Sequence, residues 1–277
     1  MLIKTLLRKG EEHKIFCQDF LYHRQIGGWL IAAVFDGCSQ RDNEEMENES
    51  QFISNLSAKI INRIAPALIV SDMNRKDPAI LSYDIIKVYF NYLKEFRDKL
   101  NLTEDEMLTT MILLVYNEKN GLGHIVALGD GFVKINGETK DIENGKITPA
   151  NKEGGVLYPI QYLDNILLND KTFEAFIFTN PDQWSFENIE DVVIATDGIN
   201  KQWKNFNSKP EFSFTPEEFL ATDTQLKSFN KMLARKYNQL ILNGWHNGDD
   251  ISMIRIFKGD EKENNLIDTS LVEQNTQ

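Results

Sequence analysis

The sequence predicts an α+β fold with helices layered on antiparallel sheets, and three observations carry that prediction. Two long amphipathic segments follow one another directly, at residues 43–64 and 78–100. The apolar runs before and after them, such as "WLIAAVF" (29–35) and "MILLVYN" (111–117), have strand length and are joined by tight connections. No regular β–α alternation runs through the chain, which argues against a doubly wound parallel sheet.

Taken in order, residues 14–35 read as a hairpin turning at Gly27-Gly28. Its second strand is apolar without alternation, the pattern of a strand buried on both faces. The segment 43–64 places Phe52, Ile53, Leu56, Ile60 and Ile61 at helical spacing, with acidic residues in its first turns where the helix dipole favours them. Asp77-Pro78 opens the second helix, with Pro78 at its first position. Residues 107–117 and 123–130 read as strands joined by the hairpin connection "EKNG", and "FVKING" continues the meander. Residues 141–166 show no clear period and read as an excursion over the sheet. "TFEAFIFTN" (172–180) and "DVVIATDG" (191–198) are two further strands. Residues 215–242 read as a helix opened by a capping box, Thr215 to Glu218, and "DDISMIRIF" (249–257) as a last strand. The expected organisation is one domain over 1–258 and a polar, disordered tail over 259–277.

Thirty basic against 42 acidic residues give a formal charge of −12. Such a field repels nucleic acid and anionic membranes, so neither is expected as a partner. The two cysteines, Cys17 and Cys38, lack metal-ribbon or redox spacing and read as small apolar residues in a reducing compartment. The N-terminal apolar stretch is too short for a signal peptide, so a cytoplasmic location is expected.

The chemistry is carried by strand ends. Apolar strands finish in Asp at "AAVFDG" (Asp36), "IVALGDG" (Asp130) and "VVIATDG" (Asp197), and another begins at "GDDISMI" (Asp249, Asp250). A single Asp-Gly is an ordinary turn. Four such ends in buried strands, however, would bring carboxylates to one edge, where they repel unless cations lie between them. Hard oxygen donors with few His or Cys select magnesium, manganese or calcium rather than zinc. The backbone carbonyl of Gly37 is a further candidate ligand, since glycine permits close approach.

With these motifs in place, the chain resembles the metal-dependent serine/threonine phosphatases of type 2C, in a bacterial form. "KIFCQD", "VFDGCS", "LGDG", "ATDG" and "GDDIS" follow the family's motif order over residues 13 to about 257. The resemblance implies a four-layer α-β-β-α sandwich, a central antiparallel β-sandwich flanked by helix pairs. It also implies two Mg²⁺ or Mn²⁺ ions, with a third held more loosely, and a phosphorylated protein as substrate. Asp36 would bridge the two metals, with the Gly37 carbonyl on one; Asp197 and Asp249 would hold the other. Asp130 would join Asp197 around the third ion, Asp19 would orient water behind the ligands, and Lys14 would bind phosphate.

Several positions depart from the family. Lys14 stands where an Arg is usual, keeping charge but losing the bidentate fork. Cys17 replaces an Asn, and Ser39-Gln40 replaces Gly-Gly. Asp250 replaces the closing Asn. Cys38 stands where eukaryotic members carry a His, which bacterial members also lack. Two competing readings follow: a non-catalytic binding or sensing module on the same fold, and a hydrolase of small phosphate esters.

Other residues read more plainly. His246 is the histidine nearest a motif but fits surface packing; His13, His23 and His124 are scattered and make no zinc set. "GLGHIVALGDG" lacks the helix a dinucleotide site needs and reads as a hairpin. Thr109-Thr110 reads as packing. Trp184, Trp203, Lys201 and Lys204 read as ordinary loop, with a substrate rim as the functional alternative. Residues 141–166 are the candidate flap over the substrate.

Overall fold

The structure is a computed structural model that describes residues 1–13, 16–38, 44–72, 74–142, 158–166, 180–206, 215–221 and 232–258. The expected strand over 172–179, the tail over 259–277 and most of the 141–166 excursion lie outside the described residues.

Two five-stranded antiparallel sheets form the centre. One has the order β1 (Leu2–Arg8), β12 (Ile251–Phe257), β9 (Asp191–Ala195), β6 (Phe132–Ile135), β7 (Glu138–Lys140). The other runs β2 (Asp19–Ile26), β3 (Trp29–Asp36), β4 (Met111–Asn117), β5 (Leu122–Leu128), β8 (Gln183–Glu187). A small ribbon pairs β10 (Trp203–Asn205) with β11 (Trp245–Asn247). The antiparallel α+β class is as expected from the sequence.

The unbroken apolar strands have a direct explanation. In β3, Ile31, Ala33 and Phe35 face α1 (Glu44–Ser71) and α2 (Pro78–Leu100), packing with Ile53, Ile61, Leu81 and Phe90. The alternate residues Leu30, Ala32 and Val34 face the opposing sheet and meet Val192, Ile194, Ile254 and Ile256. Strands β9 and β12 repeat the device: their other faces, Val193, Ala195, Ile251 and Met253, pack with Leu220, Leu233 and Leu240. Those leucines belong to α4 (Pro216–Ala221) and α5 (Met232–Leu242). With a period of two and both faces covered, every residue of such a strand is apolar.

Local signals behave as their chemistry dictates. The Asp77 carboxylate accepts from the Ala79 N–H at 2.8 Å and caps α2, which ends at Asn101 in the left-handed conformation. Thr215 and Glu218 close a reciprocal capping box, with Thr215 N–H donating to Glu218 at 2.8 Å and Glu218 N–H to Thr215 Oγ1 at 3.2 Å. α1 runs seven residues past its expected end, through Pro66, to Ser71. Ile69, in that extension, is in the core, so burial keeps the last turns despite the missing N–H.

Five strands were not expected, among them β7 and β11. Residues 2–8 form β1, paired along its length with β12. Trp184 lies in the edge strand β8 and Trp203 in β10, rather than in loops. The single helix expected over 215–242 is described as α4 and α5, with 222–231 outside the described residues. α3 (Pro159–Ile166) comes from the end of the expected excursion and puts Ile160 and Leu163 against the α1–α2 core.

The inter-sheet core generates a prediction. Ile254 is fully buried there, so Ile254→Ala should lower unfolding free energy by roughly 2–5 kcal/mol, read as a shifted denaturation midpoint.

Candidate metal centre

The strand ends do converge. The pairing of β2 with β3 sets Asp19 directly opposite Asp36, and like charges facing each other across a strand pair are destabilising unless something offsets them. β5 delivers Asp130 through Gly129 and Gly131. β9 delivers Asp197 at the start of a short 3₁₀ turn, and Asp249 precedes β12. Carboxylate oxygens of Asp36, Asp130 and Asp197 lie within 4.8 Å of one another.

Asp249 stands beside this trio rather than in it. Its carboxylate is 3.3 Å from His13 Nε2 and accepts from Gln202 Nε2 at 3.3 Å. It is still close enough for its charge to act on Asp36 and Asp197. Lys14, expected to bind phosphate, lies outside the described residues, as do Ser39 and Gln40.

Backbone contacts hold the cluster in register. The Asp36 carbonyl accepts from Thr110 N–H at 2.8 Å, and Asp36 N–H donates to Thr110 Oγ1 at 3.3 Å. Gly37 donates to the Gln18 carbonyl at 3.2 Å and bridges Thr109. The Thr109-Thr110 pair therefore positions a strand end, beyond the packing role expected of it. A Cβ on Gly198 would sit 1.8 Å from the Asp250 carbonyl oxygen, so only glycine lets the Asp197 turn lie against the Asp249–Asp250 backbone. Gly131, at φ +143°, has a similar role: its missing Cβ would meet the Ala195 carbonyl oxygen at 2.8 Å.

Asp250 explains one departure from the family pattern. Its Oδ1 accepts from Gly10 N–H at 2.7 Å and its Oδ2 from Gln18 N–H. A carboxylate offers two acceptor oxygens, whereas Asn offers one oxygen and an NH₂ that would face the second donor. Asp250 thus ties the segment leading to Asp19 onto the start of β12 and plays a structural part.

The electrostatics follow from burial and crowding. Burial first, then the charges of Asp197, Asp249 and Asp130, push the Asp36 carboxyl well above its ordinary value. Burial, Asp130 and Asp249 raise Asp197 from 3.8 to about 6, with Lys201 working the other way. Asp19, buried beside Asp36, is raised by desolvation and by that neighbour, while the Thr196 hydroxyl it accepts pulls it down. Burial and the Asp36 charge raise the Cys38 thiol; it stays protonated and donates toward Asp36 Oδ2 at 3.6 Å.

One cation enters the trio. Lys201 Nζ lies 2.6 Å from Asp130 Oδ2 and 2.7 Å from Asp197 Oδ2. Lys201 lies on a bend, as the loop reading expected, but its side chain is part of the acidic centre. The spacing of four residues from Asp197 was a usable signal. His13, beside Asp249, is nearer the centre than His246, whose ring is 2.7 Å from Glu11 Oε1 and packs edge-on to Phe206.

Three crowded carboxylates, hard oxygen donors with no thiolate or imidazole in the trio, suit Mg²⁺ or Mn²⁺. In the metal-free chain Asp197 holds its proton more tightly folded than unfolded. Its contribution to stability is therefore complete below pH 3.8 and lost as pH rises through about 6. The metal-free melting temperature should fall between about pH 4 and pH 6, and saturating Mn²⁺ should flatten that fall. Asp250→Asn should cost about 1–3 kcal/mol by leaving a buried N–H unpaired, measured by chemical denaturation.

With the geometry established, comparison with known proteins identifies the family. Residues 8–235 match the family described as protein phosphatase 2C. No curated protein matches the sequence. Among solved structures, a bacterial serine phosphatase variant is 12% identical over 94% of this chain and 99% of its own, with a TM-score of 0.57. The catalytic domain of the serine/threonine phosphatase PstP, in complex with two manganese ions, is 12% identical over 91% and 96%, with a TM-score of 0.53. The phosphatase domain of SpoIIE from Bacillus subtilis is 15% identical over 92% of this chain and 62% of that one, with a TM-score of 0.53. At such identities the likeness speaks for the fold, whereas the family match spans most of the sequence. The chain belongs to the protein phosphatase 2C family of metal-dependent phosphoprotein phosphatases, which use Mg²⁺ or Mn²⁺.

Proposed function

We propose that the chain hydrolyses phosphoserine and phosphothreonine in proteins, using two divalent cations held at the convergent strand ends. The observation that carries this reading is the trio Asp36, Asp130 and Asp197 with oxygens within 4.8 Å, beside Asp249, in a chain of this family. Divalent cations bound there would acidify water into a nucleophile near neutral pH and screen the phosphoryl charge from the acidic protein.

The chain's own residues have distinct parts. Asp36 would be the shared ligand, because it lies close enough for the charges of both Asp197 and Asp249 to act on it and its backbone is locked to Thr110. Asp197 and Asp249 would hold the second cation, and the Gly37 carbonyl would be a ligand of the first. Asp19 accepts the Thr196 hydroxyl and lies opposite Asp36, so it orients water and the ligand rather than binding the ion itself. Cys38 keeps its proton and steadies Asp36 through its S–H. Lys14 supplies positive charge for the substrate phosphate.

Mn²⁺-dependent turnover of a phosphoserine or phosphothreonine peptide tests the reading. Asp36→Asn or Asp197→Asn should abolish it, with folded protein by circular dichroism. Asp19→Asn should weaken Mn²⁺ affinity or turnover by roughly 10- to 100-fold, as loss of a supporting group does. Turnover unchanged in Asp197→Asn, or confined to sugar phosphates, would overturn the assignment.

A further inference from the structure

Lys201 occupies a place in the acidic centre that a metal would otherwise be expected to take. Its ammonium makes two close charge-assisted contacts, 2.6 Å to Asp130 and 2.7 Å to Asp197. Its backbone is held equally firmly. Lys201 N–H donates to the Asp197 carbonyl at 3.0 Å, closing the turn over the ligand. Trp203 Nε1 donates to the carbonyls of Gly198 at 3.1 Å and Ile199 at 3.0 Å. Gln202, at φ 58°, receives Gly248 N–H on its carbonyl at 3.1 Å and reaches Asp249 with its side chain. The turn is thus fastened on both sides of Lys201, which aims the side chain back across Asp197 to Asp130.

We propose that Lys201 is a tethered cation that fills the position between Asp130 and Asp197, so that this edge of the centre takes no exchangeable divalent ion while Lys201 is in place. The proposal rests on the phosphatase reading above and deepens it. Asp130 is then chiefly the counter-ion of Lys201, and the exchangeable ions are those held by Asp36, Asp197 and Asp249. An ammonium offsets one negative charge, has no vacant coordination position and cannot acidify water, so it contributes charge balance without adding a third source of nucleophile. Being covalently attached, it also cannot be diluted or chelated away.

The test counts ions in the full-length chain. Mn²⁺ is titrated into wild type, Lys201→Met and Lys201→Arg, with free Mn²⁺ read by electron paramagnetic resonance. Lys201→Met should bind roughly one more Mn²⁺ per chain, or hold its weakest ion about tenfold more tightly, because the competing cation is gone. Adding Asp130→Asn to Lys201→Met should remove that gain, and Lys201→Arg should match wild type. Equal counts with affinities within about twofold in folded wild type and Lys201→Met would overturn the proposal.

Wild type supplies an independent reading should Lys201→Met not fold. With Mn²⁺ saturating, acetic anhydride should label Lys201 far more slowly than the exposed Lys99. Mn²⁺ raising Lys201 labelling to the rate of Lys99 would show the metal displacing the ammonium and would sink the idea. Wild type that hydrolyses phosphopeptide and binds Mn²⁺, with Lys201→Met indistinguishable from it, would remove this inference alone. Wild type that neither binds Mn²⁺ nor hydrolyses would remove the phosphatase reading and this inference together.

Discussion

Mutual repulsion among carboxylates is the constraint on which the rest of the structure depends. Asp19 faces Asp36 across a strand pair, and Asp36, Asp130 and Asp197 share a space a few ångströms wide. Buried carboxyls resist ionisation through lost hydration first and through their neighbours' charge second, and the raised pKa values of Asp19, Asp36 and Asp197 express both. A fold could relax the tension by letting the strand ends spread. Here they cannot spread, because each end is tied by backbone hydrogen bonds and by close contacts that only glycine allows. Positive charge relieves the tension: the Lys201 ammonium supplies it on one side, and in the proposed function divalent cations would supply it on the other.

The rigidity comes from the core. β3, β4, β9 and β12 have both faces buried, so moving any of their ends would disturb two hydrophobic interfaces at once. Close-packed interiors tolerate little displacement. A centre whose ligands come from the ends of such strands therefore keeps its geometry before any ion arrives. This preorganisation suits a phosphatase, in which catalysis is largely placement of charge against a phosphoryl group.

The parts of this arrangement differ in how legible they were in the sequence. Asp36, Asp130 and Asp197 stood out because each interrupts an apolar strand pattern and is followed by Gly. The helix caps at Asp77 and Thr215 were also readable, since capping is a contact between near neighbours in the chain. β1, β7, β8, β10 and β11 were missed: β1, β7 and β8 lie at sheet edges, β10 and β11 make a three-residue ribbon, and none carries a long apolar run. Asp250 was read as a departure from a motif, although its two oxygens serve N–H groups more than 230 residues away. Lys201 looked like loop because its neighbours, Asn200 and Gln202, are polar; its partner Asp130 lies 71 positions earlier.

What the sequence determined by itself was the kind of each main element, the placing of acidic residues at strand ends and the order of motifs that marks the family. These are local properties, set by residue period, turn chemistry and chain order. Only the tertiary structure decided which carboxylates meet, that Asp249 stands beside the trio, and that a lysine reaches between Asp130 and Asp197. The reason is physical: charges interact through space at distances fixed by strand register and by the packing of two sheets. Those distances arise from contacts between residues remote in the chain, and no local pattern encodes them.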